Sequence, residues 1–417
     1  MLRNRDVMRV VAARFISRVG GEAAFFVGVW GKAAYELHAN AGQIAILMAV
    51  LAVSGILGTM VAGVLVDRYD PRRVLAIAEL FFVPTALAFL LPTQMWQLTV
   101  LAALLGFFGS PVMTASASFA PFLTTEDAPI ERVNAWIEGA GSLSFVIGPG
   151  LGALLAAYVS LDAVFILDAV TSLIAVFLVW GVHLNRAKRE PGQRGRAVEE
   201  LREGLRYVYG NRALRYPVLI GTAVWLGFGA FGALEPLFYR DVLEVGVEAI
   251  GYMNTIFGLG LVGGAWLSTR LPERTRSARG LAVVSSLVGF GALLYVGTRS
   301  LLVVALGALV WGAVIGVADV LLKVLIQSST PDHLMGRAVG AAQMHRQGGE
   351  LLPLAVAPSL AAAFGVQAVL IGGGLVLAGA AALSWGEARA VDRLPRLRTA
   401  VVSGSLSPDD EPVSPVP

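Results

Sequence analysis

The chain contains no cysteine, which excludes disulfides, thiolate metal sites and a thiol nucleophile together. Charge is also scarce: Asp, Glu, Lys and Arg are 15% of the 417 residues, against 56% hydrophobic. A water-soluble domain of that balance would have to cover more apolar surface than its volume can hold. The four histidines, His38, His183, His333 and His345, share no ligand spacing, so no metal site is expected. There is no Walker A pattern, catalytic triad or cofactor loop, so neither an enzyme nor a cofactor is expected. The pI near 9.3 would suggest nucleic acid in a soluble protein. Here the basic residues fall in short segments between apolar runs, which membrane topology explains, and no nucleic-acid partner is expected.

Glycine is abundant, at 48 residues, as in close-packed membrane helices. A bilayer span needs about 20 apolar residues. Runs of that order lie at 7–35, 42–66, 74–91, 96–121, 132–158 and 162–183, then at 216–239, 247–269, 279–297, 300–327, 337–363 and 366–386. The expected fold is an all-α membrane protein with twelve transmembrane helices in two pseudo-symmetric six-helix bundles. The bundles are expected over 1–185 and 216–388, with a cytoplasmic linker over 186–215 and a disordered cytoplasmic tail over 389–417. The first run is too long for a secretory signal and has no small-residue cleavage site, so it is expected to be retained. In the linker, Val198, Leu201, Leu205 and Val208 recur at helical spacing, predicting an amphipathic helix along the cytoplasmic surface.

Basic residues set the orientation. Arg3, Arg5 and Arg9, then Arg68, Arg72 and Arg73, the linker, Arg270 to Arg279 and Arg389 to Arg398 all fall on one side of the spans. The other side carries mainly Glu36, Asp162, Asp241, Glu244 and Glu248, with Lys32, Arg240 and Arg299 as its few cations. Both termini are therefore expected in the cytoplasm.

A charge near the bilayer centre costs at least about 2.5 to 3.5 kcal/mol, so each marks a candidate site. Arg14, Arg18 and Glu22 recur every four residues on the first helix and share a face. Glu22 is a proton-coupling candidate or half of a static pair with Arg18. Asp319 and Lys323 have the same spacing, which fits either a local pair or a cargo or proton role. His345, Arg346 and Glu350 lie in the eleventh run, and Glu138 in the fifth. The proton-coupling candidates are Glu22, Asp319, Glu350, His345 and Glu138. Arg14, Arg18, Lys323 and Arg346, with the aromatic residues Phe26, Trp30, Trp225 and Trp311, are candidates for the cargo cavity. Gly55, Gly58 and Gly63 are expected to let the second helix approach a neighbour closely.

The stretch Gly63-Val-Leu-Val-Asp67-Arg68-Tyr-Asp70-Pro-Arg72-Arg73 resembles the signature loop between helices 2 and 3 of the major facilitator superfamily. That resemblance implies a cytoplasmic gate built from Gly63, Asp67, Arg68, Arg72 and Arg73, with Asp67 meeting the start of helix 11 near Arg337. Arg132-Val-Asn-Ala followed by Gly148-Pro149-Gly150-Leu151-Gly152 is similar to the antiporter motif of helix 5. Together with Phe165-Ile-Leu-Asp168-Ala-Val-Thr-Ser, it resembles the branch of macrolide-efflux proteins and siderophore exporters. Two departures stand out. Asp70-Pro71 replaces the usual glycine, and no cation lies between Leu98 and Pro121, so a relay from Asp67 to a helix 4 arginine is not carried over. The resemblance implies a monomeric carrier of a bacterial-type inner membrane that exchanges protons for an amphipathic, drug- or siderophore-like cargo. The alternative is an importer of a small anion clamped by Arg14, Arg18, Lys323 and Arg346.

Overall fold

The computed structural model describes residues 5–123, 129–183, 197–331 and 334–394, with the side chains of Asp67, Ala117 and 197–201 excepted. The described residues form helices in the order α1 (Arg5–Ala23), α2 (Ala41–Arg68), α3 (Pro71–Ala88), α4 (Met95–Ala117), α5 (Ala120–Leu123), α6 (Ile130–Tyr158), α7 (Asp162–Trp180) and α8 (Ala197–Gly210). There follow α9 (Arg212–Leu237), α10 (Glu248–Ser268), α11 (Ala278–Val296), α12 (Leu301–Ser328), α13 (Met335–Phe364), α14 (Val366–Leu383) and α15 (Trp385–Val391), and no strand occurs among the described residues. The fold is that of two six-helix sets expected from the apolar runs.

Nine of the described helices are long and apolar enough to span a bilayer. The long helices outside that set are α1, α3 and α13. Each carries internal charge: Arg14, Arg18 and Glu22 on α1, Glu79 on α3, and Arg346 and Glu350 on α13. Their low hydropathy thus marks where the chain keeps its polar groups, not where it leaves the membrane.

Beyond Ala23, α1 continues through two π-helical segments, Ala24–Val29 and Lys32–Glu36, which the sequence does not announce. The run expected at 96–121 instead breaks after α4, and α5 is a single turn.

The chain divides into two compact units. The first comprises Met1–Arg189 with Gly232–Gly258. Within it α2 packs closely on α4: a Cβ on Gly58 would lie 2.2 Å from the Phe107 carbonyl oxygen, and one on Gly106 would lie 2.3 Å from that of Leu51. Gly63 departs from expectation, since a Cβ there would meet nothing within 4 Å. The hairpin from the end of α9 into α10 belongs to this unit. Arg240 donates to the carbonyls of Ala34 (2.6 Å) and Ala39 (3.1 Å), Tyr35 donates to Val245 O at 3.0 Å, and Thr255 donates to Val146 O at 3.0 Å.

The second unit comprises Glu190–Phe231 and Leu259–Pro417. The expected amphipathic linker helix is present as α8, but its apolar side turns to protein. Leu205 and Val208 join Leu214, Val218, Ile326, Ala338 and Ala341 in one apolar cluster. Helices α9, α12 and α13 thus supply the apolar partners that the periodicity of α8 requires. The Arg-Gly-Gln segment before α8, His333 and the tail after Leu394 lie outside the described residues.

Candidate functional site

The N-terminal unit brings its charged residues together around α1. Arg18 Nη2 reaches Glu22 Oε1 at 2.6 Å, closing the expected pair. Arg14 has no ion-pair partner among the described residues. Its Nη2 lies 3.3 Å from the Met113 sulfur of α4, and Arg18 Nη1 lies 2.9 Å from the same atom. A thioether is a weak acceptor, and the Nε atoms of both arginines are buried with no hydrogen-bond partner. Glu138 of α6, Glu79 of α3 and Glu22 all act electrostatically on Arg14. The site therefore holds more cationic donor capacity than its local acceptors use.

The antiporter-like segment is part of the same contact. A Cβ on Gly148 would stand 2.7 Å from both the Glu22 Cβ and the Val19 carbonyl oxygen, and one on Gly152 would stand 3.1 Å from the Ala23 Cβ. Pro149 is buried between them within an unbroken α6. Helix α6 thus crosses α1 at the turn that carries Glu22. Further along α1, the Phe26 ring lies 5.3 Å from that of Trp30 and 5.6 Å from that of Phe145, edge to face in both cases.

Two buried carboxyls were absent from the sequence-derived candidates. Glu79, 3% exposed on α3, accepts a hydrogen bond from Ser17 Oγ of α1 at 2.6 Å. Asp168 of α7, which entered only as part of a motif, is 2% exposed and lies against α1, where a Cβ on Gly20 would stand 3.1 Å from its Oδ1. The available signal was Glu79 as the lone acid within the run 74–91. Lys32 was missed similarly: expected in a loop, it is 3% exposed, and its Nζ lies 3.1 Å from Glu36 and 3.5 Å from Asp162.

The basic loop has a local structural role. Asp70 caps α3, its carboxylate accepting from Arg72 N at 2.8 Å with Pro71 in the first turn, which accounts for Asp-Pro in place of glycine. Arg72 Nη1 donates to Val182 O at 3.0 Å, and Arg9 donates to Gly181 O. Both cations thereby satisfy carbonyls left open at the end of α7. Arg68 and Arg73 are exposed, and the Asp67 side chain lies outside the described residues.

In the second unit, Arg337 pairs with Glu203 of α8 at 2.8 Å. His345 Nδ1 lies 2.9 Å from the Ala341 carbonyl oxygen, and Nε2 lies 2.7 Å from the Tyr209 hydroxyl of α8. A carbonyl only accepts, so the neutral ring carries its hydrogen on Nδ1 and the tyrosine donates to Nε2. Asp319 and Lys323 do not close an ion pair among the described residues, and Lys323 and Glu350 are exposed. The Arg346 guanidinium lies 4.4 Å from the Trp225 ring centroid. Phe228, Phe231 and Tyr295 gather on Trp311 at 4.8, 4.5 and 5.3 Å. The cleft beside them, lined also by Gly227, Gly373 and Leu377, holds only about 10 Å³. That is below the roughly 300 Å³ of the smaller ligand pockets, so these rings mainly pack on one another.

Comparison with known proteins agrees with this architecture. The uncharacterised MFS-type transporter YfiS of Bacillus subtilis (strain 168) is 24% identical over 385 residues, spanning 89% of this chain and 91% of its own. The multidrug efflux pump Tap of Mycobacterium tuberculosis (strain H37Rv) is 27% identical over 356 residues, 81% of this chain and 83% of its own. The crystal structure of the nucleoside transporter NupG superposes with a TM-score of 0.71 over 93% of this chain and 99% of that one, at 14% identity, a likeness of fold. The family profile covers residues 10–353, and this multi-pass membrane chain belongs to the Major Facilitator Superfamily, a family of transporters.

Proposed function

We propose that this chain is a secondary active exporter that couples inward proton movement to outward movement of an amphipathic, drug- or siderophore-like molecule. The observation that carries the reading is the Arg18–Glu22 pair, closed at 2.6 Å where α6 crosses α1. A proton on Glu22 removes the charge that holds Arg18 and frees its guanidinium. Cargo and proton can then compete for one arrangement of α1, which is the differential interaction that coupling requires. Met113, Phe26, Trp30 and Phe145 supply apolar and polarisable surface beside that charge. Glu138, Asp319, His345 and Glu350 remain further proton candidates, with Lys323, Arg346 and Trp225 as cargo contacts, while Trp311, 3% exposed, holds the ring cluster together. In this reading the Asp67 loop and Arg337 form the cytoplasmic gate, both termini are cytoplasmic, and a monomer acts in a bacterial-type inner membrane.

Ethidium transport in proteoliposomes under an imposed pH gradient tests the coupling. Wild-type protein should accumulate ethidium against its gradient, and Glu22→Gln should retain exchange but lose accumulation. Accumulation by Glu22→Gln equal to wild type would refute the proton assignment. The lack of an ion-pair partner on Arg14 favours a second reading, uptake of a small anion. Preferential binding of a compact carboxylate or phosphate over ethidium would select it.

A further inference from the structure

We infer that Glu79 and Asp168 form a second proton-binding site in the N-terminal unit, separate from Glu22 and closed to cargo. The inference rests on the proton-coupled reading above. Burying an ionised carboxylate is costly unless a cation or several donors compensate it. Glu79 has the Ser17 hydroxyl at 2.6 Å, with Ser172 of α7 as a second hydroxyl donor, and no ion pair among the described residues. The Asp168 carboxyl has neither an ion pair nor a hydrogen bond among them. The two carboxyls lie within electrostatic reach of each other, so both cannot comfortably hold charge together. At 3% and 2% exposure, no drug-sized molecule can reach either group. The neutralising species must be small, and a proton fits.

The surroundings tie this site to the moving charges. On α1 the facing groups are Arg14, Ser17, Arg18 and Glu22, with Lys32 beyond them near Phe165 of α7, 5.9 Å from its ring. Glu138 lies on α6, and α4 contributes no charge, only Met113. Arg14 senses both Glu79 and Glu22. The step is the gain of H⁺ by one carboxylate oxygen, giving a carboxylic acid and raising the local charge by one. That gain weakens the hold of α3 on Arg14 and leaves its guanidinium to Glu22, Glu138 or an anionic cargo group.

The test is infrared difference spectroscopy of the full chain in lipid after an acid step, paired with ethidium flux. Wild-type protein should gain the carbonyl band of a protonated carboxylic acid. The band should persist in Glu22→Gln, shrink in Glu79→Gln or Asp168→Asn, and in the double variant on a Glu22→Gln background fall to the residue left by the other carboxyls. A full band in that background, or no band in wild type, overturns the site. If a Glu79 or Asp168 variant fails to fold, Ser17→Ala serves instead. It keeps both carboxyls and must shift the band upward by removing a donor, and an unshifted band overturns the site. Flux that ignores the pH gradient while the band behaves as described defeats the coupling reading alone. Gradient-driven flux with the band intact in the double variant defeats only this site.

Discussion

Gly148→Ala is the sharpest probe of the crossing between α1 and α6. The added methyl would lie 2.7 Å from both the Glu22 Cβ and the Val19 carbonyl oxygen. Carbon atoms prefer a separation of about 3.5 to 4 Å, so α1 or α6 must yield by roughly 1 Å. Forced overpacking of that kind costs about 1 to 3 kcal/mol. Alanine in place of a helical glycine returns up to about 1 kcal/mol through backbone propensity. The net expectation is destabilisation of about 0 to 3 kcal/mol, together with displacement of the Arg18–Glu22 pair. Gly141→Ala on the same helix is the control, because a Cβ there meets nothing within 4 Å. It should be neutral or stabilising. The assay is thermal unfolding of purified protein, followed by ethidium transport for both variants. Equal unfolding curves and equal transport for the two variants would show that α1 does not press on Gly148, and the reasoning would fail.

Two further outcomes follow from the termini of helices. Arg72→Ala should lose about 1 to 3 kcal/mol by leaving the Val182 carbonyl without its donor, whereas the exposed Arg73→Ala should stay within about 0.5 kcal/mol of wild type; comparable losses in thermal unfolding would dissolve the distinction. Arg212 donates two hydrogen bonds to Glu387 at 2.7 and 2.6 Å, and those bonds hold the Glu387 carboxyl below its usual range. A group with a lowered folded pKa stabilises above its unfolded value, about 4.3, and loses that contribution as pH falls through the folded value. The stability difference between wild type and Glu387→Gln should therefore be present at neutral pH, shrink below about pH 4, and be small throughout because the pair is exposed and screened by salt. A difference that grows on acidification would refute it.

The helix count was legible because bilayer thickness fixes a length and most spans here are nearly free of charge. The three charged long helices were legible for another reason: their apolar runs were long enough to count despite Arg14, Glu79 or Arg346. Packing partners were not legible. The stripe of α8 says that one side is apolar, and only tertiary structure decides that Ala338 and Ala341 cover it. Lys32 shows the limit of loop-charge reasoning, since a cation near a span end can equally turn inward to Glu36 and Asp162. The i,i+4 spacing closed at Arg18–Glu22 and did not close at Asp319–Lys323. Sequence spacing sets only which side chains can meet, and competing contacts decide whether they do. Gly63 belongs to a recognised motif yet packs on nothing here, so a motif and a close contact are separate claims.

The π-helical turns of α1 bear on how its side chains line up. In an α-helix a step of four residues overshoots one full turn by about 40°, so a series such as Arg14, Arg18, Glu22, Phe26 and Trp30 would wind steadily around the rod. A π turn takes in an extra residue, and the segment Ala24–Val29 begins just after Glu22. The wider winding opposes the drift at the point where charge gives way to aromatic rings. Helix α1 thereby draws a straighter line than unbroken α-helical winding would, running from the Arg18–Glu22 pair to the packed rings of Phe26 and Trp30.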